Sequence, residues 1–314
     1  MDFKTDIDKS YQQISPYIHR TPILTSQYLD TLSGASLFFK CENFQKMGAF
    51  KMRGATNAIL QLSTEQQQKG VVTHSSGNFA QALALAAQNL NIPAYIIMPK
   101  NAPEVKKKAV KSYGGIITEC EPTLEARTTT AAQIKQKKGA TFIHPFNDFN
   151  VILGNASAGK ELLEDAPELD IIVVPVGGGG LISGIALSAL TFSSTCTVIG
   201  AEPYTVDDAF RSLESGKIEQ NSSTDTIADG LKTSLGDITF NIIKNHVRKI
   251  IRVNEDEIVE AMQLIWERMK IIIEPSSAVA LAAVLKSKKE FVNKKVGILL
   301  SGGNVDLLNL PFEK

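Results

Sequence analysis

The 314-residue sequence holds only three cysteines, Cys41, Cys120 and Cys196, far apart and with no CxxC pair. A disulfide framework or a cysteine-rich zinc site has no support, and the scarcity suits a reducing compartment. An excess of either charge is also missing: Lys plus Arg and Asp plus Glu both number 33, so the formal net charge is zero. This argues against a nucleic-acid partner bound through a broadly basic surface. Long apolar runs are absent, since Ala278 to Leu285 and Ile171 to Val176 fall well short of the roughly 18 to 20 residues that cross a bilayer. No membrane partner is expected. The opening Met1-Asp2-Phe3-Lys4-Thr5-Asp6 is polar and acidic where a secretory leader needs a basic start and an apolar stretch. The expectation is therefore a cytoplasmic protein. No repeat or low-complexity tract stands out, and Lys106-Lys107-Lys108 reads as a solvated helix face.

What is present is a globular balance of 43% hydrophobic against 21% charged residues, over a length that suggests two domains at about 150 residues each. Short β-branched runs alternate with longer helix-forming ones, the pattern of an α/β protein. Strands are expected at Leu37 to Cys41, Val71 to His74, Ala94 to Met98, Ile171 to Val176, Val198 to Ala201, Ile250 to Val253 and Val296 to Leu300. Several are apolar throughout, as parallel strands covered on both faces are. Helices are expected at Asn78 to Gln88, Glu125 to Lys138, Ala156 to Glu164 and Glu255 to Met269.

Five segments at strand ends or helix starts carry possible chemistry. Gly177-Gly178-Gly179-Gly180 follows an apolar strand and precedes a helix, so bare backbone N–H groups and the helix dipole favour a phosphate there. The run fits neither GxGxxG nor a Walker loop. Gly48 to Ala55 sets Lys51 among small and apolar neighbours, where a desolvated amine becomes a nucleophile or base; an ordinary helix-start lysine is the plainer alternative. The turn His74-Ser75-Ser76-Gly77-Asn78-Phe79 packs hydroxyl, amide and N–H groups that suit a carboxylate, or that merely cap a helix. Ser301-Gly302-Gly303-Asn304 also follows an apolar strand. Glu202-Pro203-Tyr204-Thr205-Val206-Asp207-Asp208 is either an oxygen-rich cation site or a solvated turn.

In this order, the Lys51 motif, the SSGN turn, the glycine run and the SGGN segment resemble the fold-type II pyridoxal-phosphate (PLP) enzymes, which are tryptophan synthase β-like. The likeness is greatest to the serine racemase and serine/threonine dehydratase family, and it extends to threo-3-hydroxyaspartate dehydratases. It runs from His19-Arg20-Thr21-Pro22 through Thr226-Ile227-Ala228-Asp229-Gly230 to Ser301-Gly302-Gly303-Asn304-Val305-Asp306. The resemblance implies two open, twisted, mostly parallel-sheet domains with PLP in the cleft. The larger would comprise 1–69 and 148–314, with 70–147 inserted as the smaller, in a homodimer.

It further implies that Lys51 forms the Schiff base, Phe50 packs on the cofactor ring, Asn78 bonds the ring hydroxyl, Gly177, Gly178, Gly179 and Gly180 hold the phosphate, and Ser301 faces the pyridine nitrogen. The substrate carboxylate would lie against Ser75, Ser76, Gly77, Asn78 and Phe79, with Arg127 contacting it. Lys51 and Ser76 would serve opposite faces of Cα, and Glu202, Asp208 and the Val206 carbonyl would hold Mg²⁺ or a similar cation. The activity implied is dehydration of L-serine, and of threonine, to a 2-oxo acid and ammonia, with serine racemisation. Alternatives are a threo-3-hydroxyaspartate dehydratase and an inactive PLP-binding protein; the failed GxGxxG test leaves a nicotinamide enzyme weaker still.

Some positions depart from the family pattern. Phe79-Ala80 replaces a common His-Gly, and Gly154-Asn155-Ala156-Ser157 replaces Gly-Gln-Gly-Thr. His144-Pro145-Phe146-Asn147-Asp148 looks like the dehydratase form of its loop, which puts nucleotide activation of the animal kind in doubt. Glu274-Pro275-Ser276-Ser277 differs from the usual small-residue pattern. The lack of a regulatory domain after Asp306 implies no feedback by isoleucine.

Overall fold

The computed structural model describes residues 2–312. Ten strands form two sheets: β1 (Ile23–Leu24), β2 (Ser36–Cys41), β3 (Val71–Thr73), β4 (Ala94–Pro99), β5 (Ile116–Cys120), β6 (Thr141–Phe142), β7 (Ile171–Pro175), β8 (Thr197–Pro203), β9 (Lys249–Val253) and β10 (Lys295–Leu300). The larger sheet has the order β1-β2-β10-β7-β8-β9 and the smaller β5-β4-β3-β6. All pairings are parallel except β1 with β2. Two parallel-sheet α/β domains result, as expected from the apolar strands.

Each of the seven strands read from sequence is present. The three not foreseen are β1, β6 and β5; the first two have only two residues each, and β5 has two of its five side chains exposed and only Cys120 buried. Central strand β7 is buried at every position. One face packs with Ala278, Val279 and Leu281 of the helix Pro275–Lys286. The other meets Leu162 of Phe149–Asp165 and Ile182 and Ile185 of Gly180–Phe192. A third core joins the sheets, because Met52, Ala55 and Ile59 of the helix Lys51–Leu60 pack with Phe79 and Leu83 of Asn78–Asn89. That packing brings Lys51 and the SSGN turn to one cleft.

The lysine triplet corrects its sequence reading. Lys108 is exposed and Lys106 half-exposed, paired with Asp229 at 2.6 Å, but Lys107 is buried, bonding Glu119 at 2.7 Å and the Lys100 carbonyl at 2.8 Å. Packing of Glu104–Ser112 turns one lysine of the three, Lys107, inward with Val110.

Candidate active site

A cavity of ≈ 1020 Å³ opens between the two sheets, and every cofactor and substrate candidate lines it. Phe50 and Lys51 enter from the start of their helix, Ser75 to Phe79 from the turn after β3, and Arg127 from the helix Leu124–Lys138. Gly177 to Gly180 enter after β7, and Ser301 after β10. Sites at the carboxyl ends of parallel strands are the rule in such sheets.

The glycine run is required by contact. A Cβ on Gly178 would lie 2.4 Å from the Phe146 ring, and Gly179 has φ +86°, where side chains are strained. Gly180–Phe192 has no side-chain cap, so its leading N–H groups and dipole are left to an anion.

The Lys51 Nζ donates to the Pro145 carbonyl at 3.1 Å and stands 4.9 Å from the Phe50 ring centroid and 5.8 Å from that of Phe79. Burial lowers its pKa to about 8, partly opposed by the charge of Glu274. Asn78 is held from two sides: its Nδ2 donates to both Glu274 carboxylate oxygens at 3.0 Å, and its Oδ1 accepts from Asn304 at 2.9 Å. Burial, reinforced by Asp229, pushes Glu274 up to about 7. Ser301 is buried, with its Oγ 3.1 Å from that of Ser277.

The residue preceding the helix Asn78–Asn89 is Gly77, and no side chain caps that helix. Capping is thus not the task of Ser76. Ser75 Oγ accepts the Gly77 N–H at 3.3 Å, which shapes the turn. Arg127 donates to the Thr123 carbonyl at 3.4 Å and, among the described residues, forms no ion pair.

Glu274, His144 and Phe146, noted in the sequence only as departures from or variants of the family pattern and given no role there, also line the cavity. His144 Nδ1 accepts the Asn147 N–H at 2.9 Å; burial, then His74 and Lys51, lowers its pKa to about 4, so it is neutral. For Glu274 the available signal was an acid set directly before Pro275 at a helix start.

The acidic segment lies elsewhere. Glu202 and Asp208 are both 1% exposed, and Val206 is fully buried in the turn Tyr204–Val206. Glu202 accepts the Phe210 N–H through Oε1 at 2.7 Å, while its Oε2 is buried with no partner. Asp208 accepts from Asn221 at 2.6 Å and from the Leu235 N–H at 2.9 Å. Burial raises Glu202 well above the carboxylate range and Asp208 to about 6. Asp207 does not join them, because Arg211 and Arg252 hold it at 2.7 and 2.8 Å. Among the described residues, no three His, Cys, Asp or Glu side chains gather as a metal cluster. An unpartnered, buried carboxylate oxygen nevertheless fits a hard cation.

Lysine amine, uncapped glycine-rich helix start and a neutral serine, converging on one cavity, fit PLP in all three of its reactive or charged parts. The chain belongs to the family described as "Pyridoxal-phosphate dependent enzyme", which matches residues 14–302. PLP is accordingly its cofactor, and it is an enzyme of the ammonia-lyase and/or racemase kind. The chain is 50% identical to a beta-hydroxyaspartate dehydratase of Paracoccus denitrificans, covering 98% of each. It is 45% identical to an L-threo-3-hydroxyaspartate ammonia-lyase of Saccharomyces cerevisiae, covering 96% of this chain and 93% of that one. The crystal structure of serine racemase from Dictyostelium discoideum superposes with a TM-score of 0.93 at 50% identity, over 96% and 98% of the two chains.

Proposed function

We propose that this enzyme dehydrates L-serine, and threonine, to a 2-oxo acid and ammonia, and interconverts L- and D-serine. The observation that carries this reading is the pair Lys51 and Ser76: both line one cavity, they enter it from different elements, and Ser76 has no capping duty. Bound PLP supplies the electron sink for the carbanion at Cα. Lys51, with its lowered proton affinity, holds and returns the Cα proton on one face, and Ser76 serves the other. The Ser75 to Phe79 turn binds and orients the substrate carboxylate. Gly177 to Gly180 hold the cofactor phosphate, Phe50 packs on its ring, Asn78 bonds the ring hydroxyl, and Ser301 faces the ring nitrogen as a neutral partner. A neutral partner limits charge delocalisation into the ring and so favours elimination over transamination.

A second reading, threo-3-hydroxyaspartate as substrate, is favoured by Arg127, a cavity-lining cation without an ion pair among the described residues. The two relatives whose names carry hydroxyaspartate support it as well. Glu202, Asp208 and the Val206 carbonyl are proposed to hold Mg²⁺ or a similar cation. Domain boundaries at 1–69 with 148–314 and at 70–147, a homodimer and a cytoplasmic location belong to the same reading.

The test is to incubate the enzyme with L-serine or threo-3-hydroxyaspartate and quantify D-serine, 2-oxo acid and ammonia together, for wild type and Ser76→Ala. Ser76→Ala is expected to lose D-serine formation by about 100-fold or more while 2-oxo acid release persists. Equal persistence of both products sinks the role of Ser76, and turnover of hydroxyaspartate without serine selects the second reading.

A further inference from the structure

Two fully buried side chains meet the glycine run from behind. Thr239, in the helix Asp237–His246, donates from Oγ1 to the Gly178 carbonyl at 2.9 Å. Asn155, in Phe149–Asp165, donates from Nδ2 to the Gly180 carbonyl at 3.1 Å. No peptide bond among the described residues is cis. In a trans peptide the C=O and the following N–H point in opposite directions. A clamp on the Gly178 carbonyl therefore aims the N–H of Gly179 away from Thr239. The clamp on Gly180 does the same for Leu181, whose N–H lies in the first turn of its helix and has no partner within it. Gly179 and Leu181 both line the cavity.

We propose that Thr239 and Asn155 are positioning residues that hold alternate peptides of the glycine run in the orientation that binds the cofactor phosphate. This rests on the reading of the cavity as the PLP site. The Thr239 hydroxyl accepts the Gly236 N–H at 3.0 Å, which leaves its own hydrogen for Gly178, with the Gly236 carbonyl, at 3.1 Å, the more distant acceptor. Asn155 reaches in a second direction. Its Oδ1 has no hydrogen bond and abuts the helix of Lys51, where a Cβ on Gly54 would stand 2.7 Å from it. One side chain thus spaces the helix carrying the amine from the run proposed to hold the phosphate. The departure at Asn155 that sequence could not explain acquires a geometric role.

The test titrates apoenzyme with PLP, with pyridoxal and with inorganic phosphate. Asn155→Leu and Thr239→Val are each expected to weaken PLP and phosphate binding about threefold to tenfold, the loss of one hydrogen bond, and to leave pyridoxal binding unchanged. Thr239→Ser keeps the hydroxyl and should bind like wild type. Ser188→Ala is the control for general stability: Ser188 is fully buried and donates to the Ala156 carbonyl at 2.7 Å, but does not line the cavity. Unchanged PLP and phosphate affinities in the folded variants overturn the proposal, as does an equal loss in Ser188→Ala. Should Asn155→Leu fail to fold, the Thr239→Val and Thr239→Ser pair decides. A wild-type protein that takes up no PLP overturns the reading of the cavity itself, and shows this before any variant is compared.

Discussion

Lys51 and Arg53 sit two residues apart on one helix, yet one is starved of partners and the other saturated. Arg53 is fully buried and meets Glu42 through Nε and Nη2 at 2.7 and 2.8 Å, and Glu161 through Nη1 and Nη2 at 2.9 and 2.7 Å. Lys40 closes the cluster on Glu161 at 2.6 Å, so two cations face two carboxylates. Burial opposes the ionised form of Glu161, but Arg53 and Lys40 overcome it and hold its pKa below the usual range. Lys51 has one carbonyl and a distant carboxylate, and its proton affinity falls. The same contrast separates the acids: Glu161 is neutralised by side chains, whereas Glu202 and Asp208 are buried, form no ion pair among the described residues, and are pushed the other way by burial. Saturated charges stiffen the scaffold, and unsaturated ones are left able to react or to bind.

The largest expected effect is at the starved lysine. Lys51→Ala should lower 2-oxo acid release at least about 10³-fold while the urea unfolding midpoint stays near that of wild type. Appreciable turnover by this variant would remove Lys51 from the chemistry. Arg53→Met should do the reverse, costing about 3–5 kcal/mol in urea unfolding because Glu42 and Glu161 remain buried without it. A cost under about 1 kcal/mol would mean that the cluster is not a neutralised unit.

A smaller effect is expected at the cation site. Millimolar Mg²⁺ should raise the melting temperature of wild type by about 2–6 °C, and Glu202→Gln should abolish most of that rise while matching or exceeding wild type in chelator. Absence of any divalent-cation effect on wild type would leave the acidic pair as structure alone. The smallest effect concerns pH. Since the lowered pKa of Lys51 is about 8, the amine is protonated below that value and a free nucleophile above it. Apoenzyme should take up PLP faster as pH rises from 6.5 to 8 and level off beyond, followed by absorbance; a rate flat through that window contradicts the lowered value.

Much of this was legible in sequence because it is local. An apolar strand followed by four glycines, or a lysine beside small residues at a helix start, is written in adjacent positions, and all seven strands read this way are present. Strands of two residues, β1 and β6, carry too little periodicity to be seen. The acidic segment was half legible: its burial could not be read, nor could the capture of Asp207 by Arg252, a partner 45 residues away.

By itself, then, the sequence determined the alternation of strands and helices, the resemblance to a PLP family and the residues that carry it, from Lys51 to Ser301. Only the tertiary structure decided which polar groups those residues face. The bond between Asn78 and Glu274 spans 196 positions, that between Thr239 and Gly178 spans 61, and that between Asn155 and Gly180 spans 25. Hydrogen-bond partners and desolvation depend on distance in space, and a folded chain makes that distance independent of separation along the backbone.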